Sequence, residues 1–302
     1  MSSNYSFKLA ITGALLSLLS IVGHAFSAQS EAEWSNRYSS GYFLSTDADF
    51  DGGREFSSQY FFISGSTQRT IGNGSTIGLG LNYTAIDYDF SGYAIIPWER
   101  ADFLTLSAPL TMEVGEKGRF NVLGSIGTAS EASADFAEGV TLSAIASYMH
   151  TFSQTLSLGL GSGYVYGLEN SRFFPLLLVR WQIADHLLLT NPFRPGPFGP
   201  AGLELSYRFN EQFDCGFGGV YRNIRFALDS NSEVAPSGFA EIEGIPVFVR
   251  ASWAVTKVIS FDGYLGMTLN GQMNIDDSNG HELSQEDYNA QPIIGLNISG
   301  RL

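Results

Sequence analysis

Six charged residues, Arg180, Glu204, Asp214, Arg222, Arg250 and Asp262, fall inside stretches that otherwise alternate like β-strands. Charge in such a stretch is stable on a wet face. There, acids and bases on neighbouring strands either set a transverse field that orders water and selects polar solutes, or close onto one another as a salt-bridge network that fills the space. Asp47, Asp49, Asp51 and Gly52 reproduce the start of a calcium loop, a candidate metal site, but the twelfth position is Ser58 where that motif has a bidentate Glu. An ordinary acidic turn is the alternative. Asp276, Asp277 and His281 bring acids and a histidine together, yet lack the opposing acid that a hydrolytic site needs, and His150 and His186 stand next to short turns. No catalytic residue is assigned. There is no Gly-Lys phosphate motif and no His or Cys pair at zinc spacing, so no cofactor is implied. Cys215 is the only cysteine, which excludes an intramolecular disulfide and leaves a thiol whose expected role is packing.

The elements that must carry those charges are plainest between positions 245 and 269. Ile245, Val247, Val249, Ala251 and Trp253 alternate with Pro246, Arg250 and Ser252. After a short link the pattern resumes with Ile259, Phe261, Gly263, Leu265, Met267 and Leu269 against Ser260, Asp262, Tyr264, Gly266 and Thr268. Period two marks strands with one apolar face. Each arm holds it for about ten residues, the length that crosses a bilayer at a tilt and longer than the usual strand of five or six. The expectation is a hairpin of an all-β, transmembrane, antiparallel up-and-down barrel.

Strands of the same kind are expected at 34–44, 56–67, 76–88, 100–112, 120–128, 140–152, 155–166, 173–183, 187–190, 203–209, 213–228 and 292–302. With the hairpin they make fourteen; dropping the brief 187–190 segment leaves twelve as the alternative, both even as bacterial barrels favour. Acidic or polar loops are read at 47–53, 89–98, 131–138, 229–238 and 275–288, and the four prolines of 191–200 exclude a central strand. Short turns and longer loops alternate, which in such barrels places short turns in the periplasm and long loops outside. The acids then gather at the outer end, where carboxylates would meet lipopolysaccharide through bridging divalent cations or simply form a solvated surface.

Residues 1–27 read as a cleaved signal peptide: Lys8 is the positive residue, positions 9–22 are apolar, and Ala25 and Ser27, or Gly23 and Ala25, fit a cleavage site. Residues 28–302 form one barrel domain. Removing Lys8 takes the formal charge from −14 to about −15, a balance that disfavours nucleic acid. Only 15% of residues are charged, with Gly 34, Phe 23 and Tyr 14, and no apolar helix-length segment follows the signal, which excludes a helical membrane protein. Trp181, Tyr207, Phe209 and Trp253 near short turns, with Tyr83, Tyr164 and Tyr166 towards the far ends, fit two aromatic girdles.

The last strand alternates Ile294, Leu296, Ile298, Gly300 and Leu302 with Gly295, Asn297, Ser299 and Arg301. It resembles the terminal strand read by the barrel assembly machinery, departing from the common aromatic ending at Leu302. Residues 175–181, 203–207, 226–229 and the last hairpin resemble an uncharacterised bacterial outer-membrane barrel family, a domain of unknown function. That resemblance implies a porin-like envelope protein in the outer membrane of a Gram-negative-type bacterium. The expectation is a passive channel for small polar solutes with Arg180, Glu204, Asp214, Arg222, Arg250 and Asp262 lining it. Inward glycines Gly78, Gly80, Gly159, Gly161, Gly163 and Gly266 would leave room. The alternative is a closed barrel with a structural or adhesive role through its acidic loops.

Overall fold

The structure, a computed structural model, describes residues 34–71, 74–193 and 201–301. The signal-peptide reading and Leu302 lie outside the described residues.

Alternating sequence becomes sixteen strand segments: β1 (Trp34–Phe50), β2 (Arg54–Thr70), β3 (Thr76–Ser91), β4 (Arg100–Val114), β5 (Gly118–Glu131), β6 (Val140–Thr151), β7 (Leu156–Gly167), β8 (Asn170–Ala184), β9 (Leu187–Thr190), β10 (Gly202–Arg208), β11 (Phe213–Val220), β12 (Arg222–Ala227), β13 (Phe239–Ala254), β14 (Ile259–Asp276), β15 (Glu282–Tyr288) and β16 (Gln291–Arg301). β11 and β12 both pair with β13 and are two parts of one barrel strand, broken at Tyr221. β15 and β16 both pair with β14 in the same way. The segments therefore make a fourteen-stranded antiparallel barrel, closed by β1 against β16 from Arg37↔Arg301 to Ser45↔Ile293. The brief β9 is one of the fourteen, which removes the twelve-strand alternative.

Period two decides the faces. On β13 and β14, Ile245, Val249, Trp253, Phe261, Leu265 and Met267 are exposed on the outer surface, while Phe248, Arg250, Asp262, Tyr264 and Thr268 are buried inside. The same outward band continues through Leu79, Leu106, Ile126, Leu160, Leu177, Leu205 and Leu296. Exposed apolar side chains around a whole barrel cost free energy in water and are stable against lipid. Among the described residues there is no helix.

Three expected loops are shorter than the sequence implied. β1 runs through Asp47 and Asp49 to Phe50, with a register shift between Ser45 and Ala48, so only Asp51, Gly52 and Gly53 turn the chain. Both glycines adopt positive φ, 91° and 77°, which side chains resist. β3 extends to Ser91, and the 275–288 segment contains β15. These extensions lie beyond the apolar band, where strand edges continue on polar residues.

The wall is interrupted at one place. β8 is bonded to β9 only from Arg180↔Thr190 to Ala184↔Leu187. Above that, the Asn191 side chain takes the place of a strand: it accepts from Val179 N at 2.8 Å and donates to Leu177 O and Gly202 O at 2.9 Å each. Further up, the bridges from β8 to β12 and β13 among the described residues are made by side chains. Arg172 donates to Asn223 Oδ1 at 2.9 Å and pairs with Glu241, which also holds Arg225. The edge of β12 meets β5 through one bridge, Ala227↔Ser130. The upper part of β12 and β13 thus leans inward behind β8.

Candidate functional site

The lumen is built of two unlike halves. At the long-loop end the inward register of β1 to β3 carries Phe50, Phe56, Tyr88 and Phe90, and the leaning β12 contributes Phe226. Trp98, from the loop after β3, folds in among them, its ring centre 5.2 Å from Phe90 and 5.5 Å from Phe226. Below, Phe43, Phe62, Phe248, Tyr264 and Ile293 form a second cluster. Glycines make room for several of these rings: a Cβ on Gly295 would run into Phe43 and one on Gly41 into Phe62, and away from this cluster one on Gly163 would run into the Phe174 ring. The room expected at Gly163 is therefore occupied by an aromatic ring. Between the two clusters, beside Arg222, only about 10 Å³ stays open.

Beneath the second cluster is a buried polar network. Arg250, whose side chain has 0% exposure, places Nη2 2.7 Å from both Glu204 Oε1 and Asp214 Oδ1. It also donates to Ser252, which donates to Asp262. Asn297 Nδ2 donates to Asp262 Oδ2 at 3.0 Å, and Ser39 Oγ donates to Asn297 Oδ1 at 2.8 Å. Four of the six charges expected in the lumen, Glu204, Asp214, Arg250 and Asp262, are thus brought together as one closed network. Arg222 stands apart, beside Tyr60 and Tyr88 and close to Tyr288, whose hydroxyl donates to Glu243 O at 3.1 Å. Arg180 occupies the inward register of β8 with Leu178 and Gln182, and forms no ion pair among the described residues.

The short-turn half is open. A cavity of about 590 Å³ is lined by Ser39, Ser64, Ser66, Asn82, Ser107 and Ser299, with Arg37, Lys257 and Arg301 around it. A second, of about 300 Å³, lies against Gln182, His186, Glu204, Ser206, Arg208 and Asp214, and Phe193 borders both. Arg37, Lys257 and Arg301 were missed as lumen charges. Arg37 shares the register of Ser39 and Arg301 that of Ser299, so the alternation held the signal; both lie at strand ends, where a charge reads as solvated.

Asp47, Asp49 and Asp51 are exposed, and no group of three or more His, Cys, Asp or Glu able to hold a metal ion occurs among the described residues. Asp277 and His281 do meet, Nδ1 to Oδ2 at 3.3 Å, on an exposed loop. The Asp277 carboxyl is held below the usual carboxylate range chiefly by the backbone N–H of His281, aided by that of Asn279. Cys215 is half-buried in β11.

No family model and no curated protein matches the chain. Among solved structures it is similar to an outer membrane channel from Pseudomonas putida F1, with TM-score 0.49 and 11% identity over 91% of this chain and 97% of that one. It is similar also to the P. putida toluene transporter TodX, with TM-score 0.43 and 10% identity over 90% and 91%. The translocator domain of the autotransporter NalP from Neisseria meningitidis matches with TM-score 0.38 and 10% identity over 98% and 97%.

Proposed function

We propose that this chain is an outer-membrane channel that passes small polar solutes passively, its short-turn end in the periplasm and its acidic long-loop end outside. The observation that carries this reading is the cavity of about 590 Å³, lined in part by serines, Asn82 and three cations, inside a barrel whose outer surface is an apolar band. A protein whose barrel served only as an anchor has no need of a water-accessible chamber lined by hydroxyls and cations. The outer half must part for passage, and Trp98 is the side chain to move, because it enters from a loop and not from the wall. The acidic loops would contact lipopolysaccharide, and the last strand is the segment offered to the barrel assembly machinery.

A closed barrel with a structural or adhesive role is the second reading, favoured by the aromatic packing across the outer half. Single-channel current across a planar bilayer separates the two. The channel reading expects stepwise conductance, raised by Trp98→Ala; a folded barrel that gives no steps, with or without Trp98→Ala, favours the closed one.

A further inference from the structure

We infer that the short-turn chamber is a binding site for a small hydroxylated anion, of the chemical class of a sugar acid. Arg37 and Arg301 are direct cross-strand partners at the seam between β1 and β16, and both lie on the inward register. Like charges placed directly opposite destabilise a sheet. Neither has an acid partner among the described residues, and the chamber's third charge, Lys257, adds another cation. Among the described residues lining this chamber there is no Asp or Glu, in a chain whose formal net charge is −14. Cations gathered around an open cavity attract anions, and rings of Arg and Lys line anion-selective pores.

The remaining lining narrows the class. Two guanidinium groups suit a planar oxyanion such as a carboxylate, which accepts paired N–H bonds. On one wall Ser64 and Ser66 offer hydroxyl donors, while Ser39 and Ser107, which already donate to Asn297 and Gly80, keep oxygen lone pairs that accept, as does the Asn82 amide oxygen. They match a ligand carrying several hydroxyls. The volume lies within the roughly 300–1,000 Å³ of small-molecule sites. Ser39, on the lining, is tied through Asn297 to the buried Asp262, which places that carboxylate behind two uncharged side chains.

As the inner station of a transport route this rests on the channel reading, but binding does not require conduction. The test is calorimetric titration of the refolded full barrel in detergent with gluconate, glucose and inorganic phosphate. Gluconate is expected to bind at least about tenfold more tightly than glucose, and less tightly as salt is raised. The paired variant Arg37→Gln with Arg301→Gln should weaken gluconate at least about tenfold while the empty barrel stays as stable as before, since it relieves a like-charge pair. Equal binding of gluconate and glucose, unchanged binding in the paired variant, or no heat with gluconate would overturn the inference; heat with phosphate alone would overturn the hydroxylated class. A barrel that binds gluconate but gives no current keeps this site and loses the channel.

Discussion

The two halves of the lumen are made by the same strands, yet one is packed with rings and the other holds water-sized space. On β1 the inward register reads Ser39, Gly41, Phe43 and then Phe50; on β2 it reads Phe56, Tyr60 and Phe62 before Ser64 and Ser66. The change from ring to hydroxyl comes at the level of Arg250 and Asp262. The buried network therefore works as a bulkhead: apolar packing ends on it, and solvent begins below it. A barrel interior is not obliged to be uniformly wet, and the position of such a boundary decides which half resists passage.

Removing the bulkhead should have the largest effect. Arg250→Ala leaves Glu204, Asp214 and Asp262 without their shared cation, and a loss of about 3–5 kcal/mol is expected in urea unfolding followed by heat-modifiable gel mobility. Phe226→Ala comes next: this fully buried ring joins Trp98, Tyr88 and Phe103, and its loss should cost about 3 kcal/mol or more and raise conductance if the outer half is the barrier. Ser64→Ala, in the open half, should shift stability by no more than about 0.5 kcal/mol. An equal cost for Phe226→Ala and Ser64→Ala would erase the distinction between the halves.

The smallest effect is one of pH at the outer loops. Because the folded Asp277 carboxyl is held low by the N–H groups of His281 and Asn279, its contribution to loop order is complete above the ordinary carboxylate pKa. It is lost as pH falls through the folded value, below about pH 4. Amide exchange of residues 277–281 should rise there, and Asp277→Asn should flatten the profile.

The barrel was legible because period two is written over nearly every strand, most clearly from Ile245 to Leu269, and because charges such as Arg250 and Asp262 stand in the register opposite the apolar one. Period two assigns a face, however, and not what that face meets. Phe43, Phe62 and Phe248 share the inward register with serines and charges, and only the pairing across strands shows that they meet one another. Glu204 reaches Arg250 from 46 residues away, through register that no local pattern contains. The strand beyond Ser45 carried its own signal, Ala48 and Phe50 inward against Asp47 and Asp49, but the acids read first as a loop.

The interrupted wall between β8 and β12 has a consequence for how this ring comes apart. Its chain ends are zipped together along β1 and β16 by a continuous ladder, whereas mid-sequence the described residues hold the hoop by the short ladder of β8 with β9 and, above it, by Asn191, Arg172 and one backbone bridge. Ladders open cooperatively; isolated side-chain ties open one at a time. Under heat or denaturant the hoop should therefore split at its centre of sequence, with β8 amides exchanging first, while the two termini remain the last pieces still joined.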